Sequence, residues 1–183
     1  NNGLGTPIGY TGMTWAGFRP SDDACEYHYL IPANCFAAVI LGELAAIARE
    51  AWQDEAFALE ALRVRREIVQ GIEAYGIVHH PRFGRIYAYE ADGLGHFRLM
   101  DDANVPSLLS LPYLGYLPPE DPVYQNTRAW LLSEENPCYF QGKAACGVGS
   151  EHTAAGYVWP IALAMQGLTA NCFEEKERII RLL

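Results

Sequence analysis

With 183 residues, half of them hydrophobic and 19% charged, the chain has an ordinary soluble globular balance and enough material for a single domain with an ample core. Its formal net charge of -9 repels phosphate backbones and anionic lipid, so no nucleic-acid partner and no membrane partner is expected, and a neutral ligand is the easier fit. Five cysteines, Cys25, Cys35, Cys138, Cys146 and Cys172, form an odd set without a C-x-x-C, which points to reduced, mostly buried thiols rather than a disulfide framework or a zinc site.

The longest unbroken apolar runs, Ala37 to Leu41 and Tyr157 to Leu163, are far too short to span a bilayer. The chain begins at Asn1 without a basic leader, which says little about where the protein resides; location is left open, with a cytoplasmic one favoured. Residues 1–10 are Gly, Asn and Pro punctuation, read as a loop. Then comes the densest stretch. Thr14 to Tyr29 holds three carboxylates, one arginine, one histidine and four aromatics within sixteen residues, and Gly17 and Pro20 break any helix before Asp22 and Asp23. Ser21 or Asp22 is expected to cap a helical segment running through Glu26. Aromatics such as Trp15 interleaved with carboxylates and Arg19 suit a sugar, whose apolar faces stack on rings while its hydroxyls bond to charged groups. A structural cap with an Arg–Asp pair beneath it fits the same residues.

Apolar residues from Phe36 to Ala51 and from Phe57 to Ile72 recur at helical spacing, predicting helices over Asn34 to Trp52 and Asp54 to about Tyr75, with Asp54 as cap, joined as an αα-hairpin. Helical periodicity breaks at Gly76. Ile86 to Tyr89 and His96 to Leu99 flank Asp92-Gly93-Leu94-Gly95, the pattern of a β-hairpin. His79 and His80 precede Pro81 at the end of the helix and lack further ligands for a metal, so a solvated role is expected. A second pair, Asp101-Asp102, precedes Asn104 and Pro106, and Pro106 is placed to open a helix over Ser107 to Tyr113. Further helices are predicted over Val123 to Leu132, Ile161 to Thr169 and Cys172 to Leu183, the last with Asn171 and Glu174 as a capping box. The irregular stretch Asn136 to Ser150 delivers His152, a potential hydroxyl donor or a local cap. An apolar face still running at Arg181-Leu182-Leu183 predicts an interrupted architecture, with uncovered helix faces and self-association.

Paired carboxylates are the machinery of glycoside hydrolysis, in which one acid protonates the leaving oxygen and a second carboxylate activates water or attacks. An Asp beside another Asp in an aromatic pocket is expected to titrate high, as a general acid requires. Because adjacent side chains project differently, the second carboxylate has to come from far away in sequence. The two Asp-Asp pairs also allow Mg²⁺ held against a diphosphate, although Arg- and Lys-poor surroundings disfavour it.

Thr11 to Tyr27, with its Gly-Phe-Arg-Pro-Ser-Asp-Asp core, resembles the hallmark block of glycoside hydrolase family 125, the metal-independent exo-α-1,6-mannosidases. Met100 to Leu109, Gly142 to Ala145 and Trp159 to Gln166 resemble further family blocks, in the family's order. The resemblance implies an all-α fold, part of an (α/α)6 barrel made of helical hairpins with long irregular loops and a small β-hairpin. It implies hydrolysis of terminal non-reducing α-1,6-linked mannose with inversion, without metal or other cofactor. The general acid maps to Asp22 or Asp23, with Asp22 preferred, and Trp15, Arg19, Asp102, Asn104 and His152 are the candidate sugar ligands. The family's general base lies in a His-Glu-Ser segment after the last helix, and Glu151 does not occupy that position. Residues 1–183 are accordingly expected to form one incomplete catalytic domain, the alternative being a non-catalytic sugar-binding or structural piece.

Overall fold

The computed structural model describes residues 5–154 and 156–183, so residues 1–4 of the expected leading loop lie outside the described residues. Strand β1 (Tyr29–Leu30) runs straight into helix α1 (Ile31–Ile47), which ends in a π-helical turn, Ala48–Trp52. The first turn of α1 carries Pro32, whose missing N–H costs nothing there, and the free Ile31 N–H finds the Tyr89 carbonyl at 2.8 Å. Gln53, in the left-handed region at φ 55°, reverses the chain into α2 (Glu55–Tyr75), and the Asp54 carboxylate accepts from the Phe57 N–H at 2.9 Å. The αα-hairpin and its Asp54 cap are therefore as the periodicity predicts.

The rest of the chain departs from the expected all-α toroid. The described residues hold five α-helices and three small antiparallel sheets, an arrangement that is not a ring of helical hairpins. Strands β2 (Ile77–His80) and β3 (Gly84–Tyr87) pair as a hairpin, so His79 and His80 lie on a strand rather than at a helix end. Strand β4 (Glu90–Ala91) sits between β1 and β5 (Phe97–Arg98), with Leu30 opposite Glu90 and Glu90 opposite Arg98. The predicted hairpin around Asp92-Gly93 is thus the β4–β5 pair, while Ile86 and Tyr87 belong to β3. Ser107 to Tyr113 is a run of turns rather than a helix, because Pro112 has no N–H to continue a helical ladder and the Ser107 and Ser110 side chains satisfy local backbone groups.

Helix α3 (Pro122–Leu131) starts on Asp121, and β6 (Tyr139–Gln141) pairs with β7 (Cys146–Val148) before α4 (Pro160–Leu168) and α5 (Phe173–Leu182). The expected Asn171/Glu174 capping box is absent. Cys172 is the N-cap of α5 without a side-chain bond, and Glu175 is the engaged acid, accepting from Arg128 at 2.9 Å and Gln166 at 2.7 Å.

The core joins Ile31, Cys35, Ile68, Ile72, Ile86 and Tyr89 to Leu108, Tyr124, Trp130 and Leu131, so α1, α2, the sheets and α3 close on one another. Cys25, Cys35 and Cys138 are buried and Cys146 and Cys172 exposed. From Ile31 to Trp52 the helix has 22 residues and a mean hydropathy of 1.8, long and apolar enough by composition to cross a membrane. Counting unbroken apolar runs misses this, since Glu43 interrupts the run without ending the helix. Helix α1 packs against α2 and buries Cys35, Ala38 and Ala45, with 39% of the apolar window inside the fold. Phe36, Ile40 and Ile47 remain exposed on its other side, as do Phe173 and Ile180 on α5.

Asp121 accepts from the Tyr124 N–H at 2.9 Å and precedes Pro122 at the helix start. Asp121→Ala is expected to lower unfolding free energy by about 1 kcal/mol, read as a lower urea midpoint at unchanged m-value.

Candidate active site

The dense stretch is a hairpin, not a helix cap. Arg19 N–H donates to the Asp23 carbonyl at 2.8 Å, Asp22 N–H to the Arg19 carbonyl at 3.0 Å, and Cys25 N–H to the Gly17 carbonyl at 3.0 Å, with Phe18 bridged to Ala24. Pro20 presets the first loop residue, and Asp22 takes the left-handed position at φ 66° that such three-residue loops normally give to glycine. Asp tolerates this backbone better than most residues, and the turn lifts the Asp22 carboxyl to an exposed apex.

Beneath the apex, Arg19 is buried against Glu90, whose Oε1 accepts from Arg19 Nε at 2.6 Å. Glu90 is fully buried, and its Oε2 accepts from the Glu26 and Tyr27 N–H groups at 3.0 and 2.9 Å. The Arg19 guanidinium lies 5.8 Å from the Tyr89 ring centre, and its Nη1 is 3.7 Å from Glu151. Arg98, on β5, bonds Glu26 at 2.7 Å and reaches Glu151 at 3.4 Å. Trp15 is exposed and stacks on His28, ring centres 4.8 Å apart, over Gly17, where a Cβ would meet its ring at 3.2 Å. His28 has a partner on each ring nitrogen: Nε2 accepts from the Thr6 N–H at 3.2 Å, and Nδ1 lies 3.1 Å from the Ala16 carbonyl.

Of the sequence-predicted residues, Asp22 sits at the exposed apex of the turn, and the other six fall into two groups. Asp23, His152, Arg19 and Asp102 come together: His152 Nε2 lies 2.8 Å from Asp23 Oδ2, and the Arg19 charge acts on both Asp23 and Asp102. Trp15 and Asn104 stand outside these contacts, Asn104 serving as a local donor to Asp102 through its N–H at 2.9 Å and its Nδ2 at 3.2 Å. Contrary to the expectation that paired aspartates titrate high, the Ser21 hydroxyl at 2.7 Å and then His152 hold the Asp23 carboxyl below the usual carboxylate range. Burial instead pushes up the second pair. Asp102 is raised, and Asp101, wholly buried, is raised well above its ordinary value while its two oxygens accept from Leu108 and Leu109 N–H at 3.0 Å each. Asp101 is thereby committed to the backbone, which removes the second metal-binding pair that diphosphate chemistry needs. Among the described residues no three His, Cys, Asp or Glu side chains are grouped to share a metal ion.

Glu90 is missing from the sequence-predicted residues, and Ser21 and Asn34 figure among them only as a candidate cap and a helix start. Asn34 is buried in the first turn of α1, accepts from the Thr14 N–H at 2.7 Å and donates to the Thr14 carbonyl at 3.1 Å, so it anchors the start of the stretch. A lone Glu inside the apolar pattern Ile86 to Ala91 was the available signal for Glu90. A cleft of about 720 Å³ lies elsewhere, against the β6–β7 turn at Gly142 and Lys143 and against Tyr157. No carboxylate lines it.

The family model for metal-independent alpha-mannosidases, GH125, matches residues 1–183. The chain belongs to this family. A solved Streptococcus pneumoniae structure, described as a metal-independent alpha mannosidase in non-productive complex with alpha-1,6-mannobiose, superposes with a TM-score of 0.95 at 48% identity, covering 100% of this GH125 chain and 43% of that one. The Meiotically up-regulated gene 157 protein of Schizosaccharomyces pombe is 47% identical over 169 residues, 92% of this chain. The GH125 chain spans 33% of that curated relative's length.

Because its folded value is depressed, the Asp23 carboxylate adds stability above the ordinary carboxylate range, and that contribution is lost as pH falls through the depressed value. Ser21→Ala and His152→Ala are expected to raise the Asp23 titration midpoint seen by carboxyl NMR, Ser21→Ala by more, and to flatten the stability curve below about pH 4. An unmoved midpoint in both variants would sink this account.

Proposed function

We propose that this hairpin belongs to a site that hydrolyses terminal α-1,6-linked mannose with inversion, Asp22 being the general acid. The observation that carries the reading is the contrast between neighbours: Asp23 is held ionised by Ser21 and His152, while Asp22 stands exposed on a turn position that glycine would fill more cheaply. The Streptococcus pneumoniae relative, with its mannobiose ligand, supports the choice of sugar and linkage.

In this mechanism Asp22 gives its proton to the glycosidic oxygen as the C1–O bond breaks. Water adds to C1 from the opposite face and passes its proton to a carboxylate base. Trp15 offers the apolar sugar face a ring, Arg19, Asp102 and His152 receive hydroxyls, and Asn104 steadies Asp102. Glu151 is not assigned as the base, because Arg98 and Arg19 already flank it.

The test is mannose release from α-1,6-mannobiose by the whole protein. Asp22→Asn is expected to lower kcat by about 10²-fold or more, and Asp23→Asn by less. Asp22→Gly is expected to abolish turnover while raising Tm by about 2 °C, since it relieves the left-handed backbone. Wild-type rate in both Asn variants would overturn the assignment of the acid. Mannose binding without turnover in the unaltered protein would favour a non-catalytic sugar-binding role. The exposed apolar residues of α1 and α5 support self-association of the 183-residue chain taken alone, and light scattering showing a monomer would count against it.

A further inference from the structure

We propose that Glu90 is the positioning residue of this site: through Arg19 and the Glu26–Tyr27 amides it holds both limbs of the Asp22–Asp23 hairpin in register with the β1–β4–β5 sheet. The proposal rests on the mannosidase reading and assigns a role to a residue outside the hairpin. Glu90 is fully buried on the central strand of the sheet, and its carboxylate bonds to the loop: to Arg19 Nε on the entering limb and to the Glu26 and Tyr27 amides on the leaving limb. Arg19 in turn closes the turn itself, since its N–H donates to Asp23 and its carbonyl accepts from Asp22. Displacing the Arg19 side chain therefore displaces the Asp22 carboxyl and removes a cation from beside Glu151, next in sequence to His152.

The position demands a carboxylate. Three donors converge on two oxygens, and an amide in their place turns one oxygen into an NH₂ that must face either the Arg19 Nε–H or the two backbone N–H groups. One donor at least is then left opposite another donor. Aspartate keeps the charge but is one methylene short of spanning from β4 to both limbs.

In the whole protein, Glu90→Gln is expected to lower kcat through the displaced Asp22 and to raise KM for α-1,6-mannobiose by about tenfold through the displaced Arg19, whereas a purely structural loss would reduce the active fraction and apparent kcat and leave KM unchanged. Glu90→Asp, which keeps the buried charge but cannot reach Arg19 and the two amides at once, is the second variant should Glu90→Gln fail to fold, and a rise in KM is expected of it too. Because Glu90 acts through Arg19, combining Glu90→Gln with Arg19→Lys is expected to cost no more than the worse single change. Unchanged KM in the folded variants, or fully additive losses, overturns the positioning role. Absence of turnover in the unaltered protein refutes the mannosidase reading instead, so the two failures are told apart.

Discussion

A buried carboxylate with three donors organises this molecule. Moving an isolated charge out of water is prohibitive, and a buried ion pair is sustained only where further hydrogen bonds satisfy the remaining lone pairs. Glu90 meets that condition through one guanidinium and two amides, and Arg19 gains the Tyr89 ring beneath it. The arrangement exists only when β4 and the hairpin are docked, so the fold and the site form together. Asn34 performs the parallel task at the loop's start, where its amide bonds both backbone groups of Thr14. Clamped at both ends, the aromatic and acidic stretch needs no helix of its own.

Sequence neighbours within the two Asp-Asp pairs receive opposite environments, because consecutive residues in turns point into different surroundings. Asp101 is spent as an acceptor for the Leu108 and Leu109 amides and lies in the core, while Asp102 sits at the edge of the Arg19 cluster. In the first pair Asp22 is lifted into solvent by its left-handed backbone and Asp23 is turned toward Ser21 and His152. Hydrogen bonding to the charged form lowers one carboxyl, and burial raises the other two. Counting like charges along the chain therefore predicted the wrong sign for Asp23.

Legibility in the sequence followed the range of the forces. The αα-hairpin, the Asp54 cap and the turn at Asp92-Gly93 depend on residues within a few positions of one another, and all three were readable. The mixed architecture of helices and small sheets was not, because β1, β4 and β5 are two residues each and carry too short a period to register against the helical pattern around them. The supposed helix over Ser107 to Tyr113 failed on Pro112, a local signal that Pro106 overshadowed. Within the site, the resemblance placed the hairpin's own residues and His152, while Glu90 and Asn34 stayed hidden because their partners lie 71 and 20 positions away.

His152 reaches Asp23 across 129 residues, and the half-exposed contact between them is too weak to hold two loops together. A half-exposed polar contact of this kind contributes about 0 to 1 kcal/mol, less than the entropy of fixing the loop residues that carry it. The support lies deeper. Gly149 N–H donates to Cys138 at 2.8 Å and its carbonyl accepts from Ala103 at 3.0 Å, while Trp159 N–H donates to Val148 at 3.1 Å. Gly149 has no room for a side chain, since a Cβ there would come within 2.4 Å of the Tyr157 carbonyl. Buried backbone bonds around β7 thus deliver His152 to the hairpin, and the histidine is left free to respond to what binds there rather than to hold the fold.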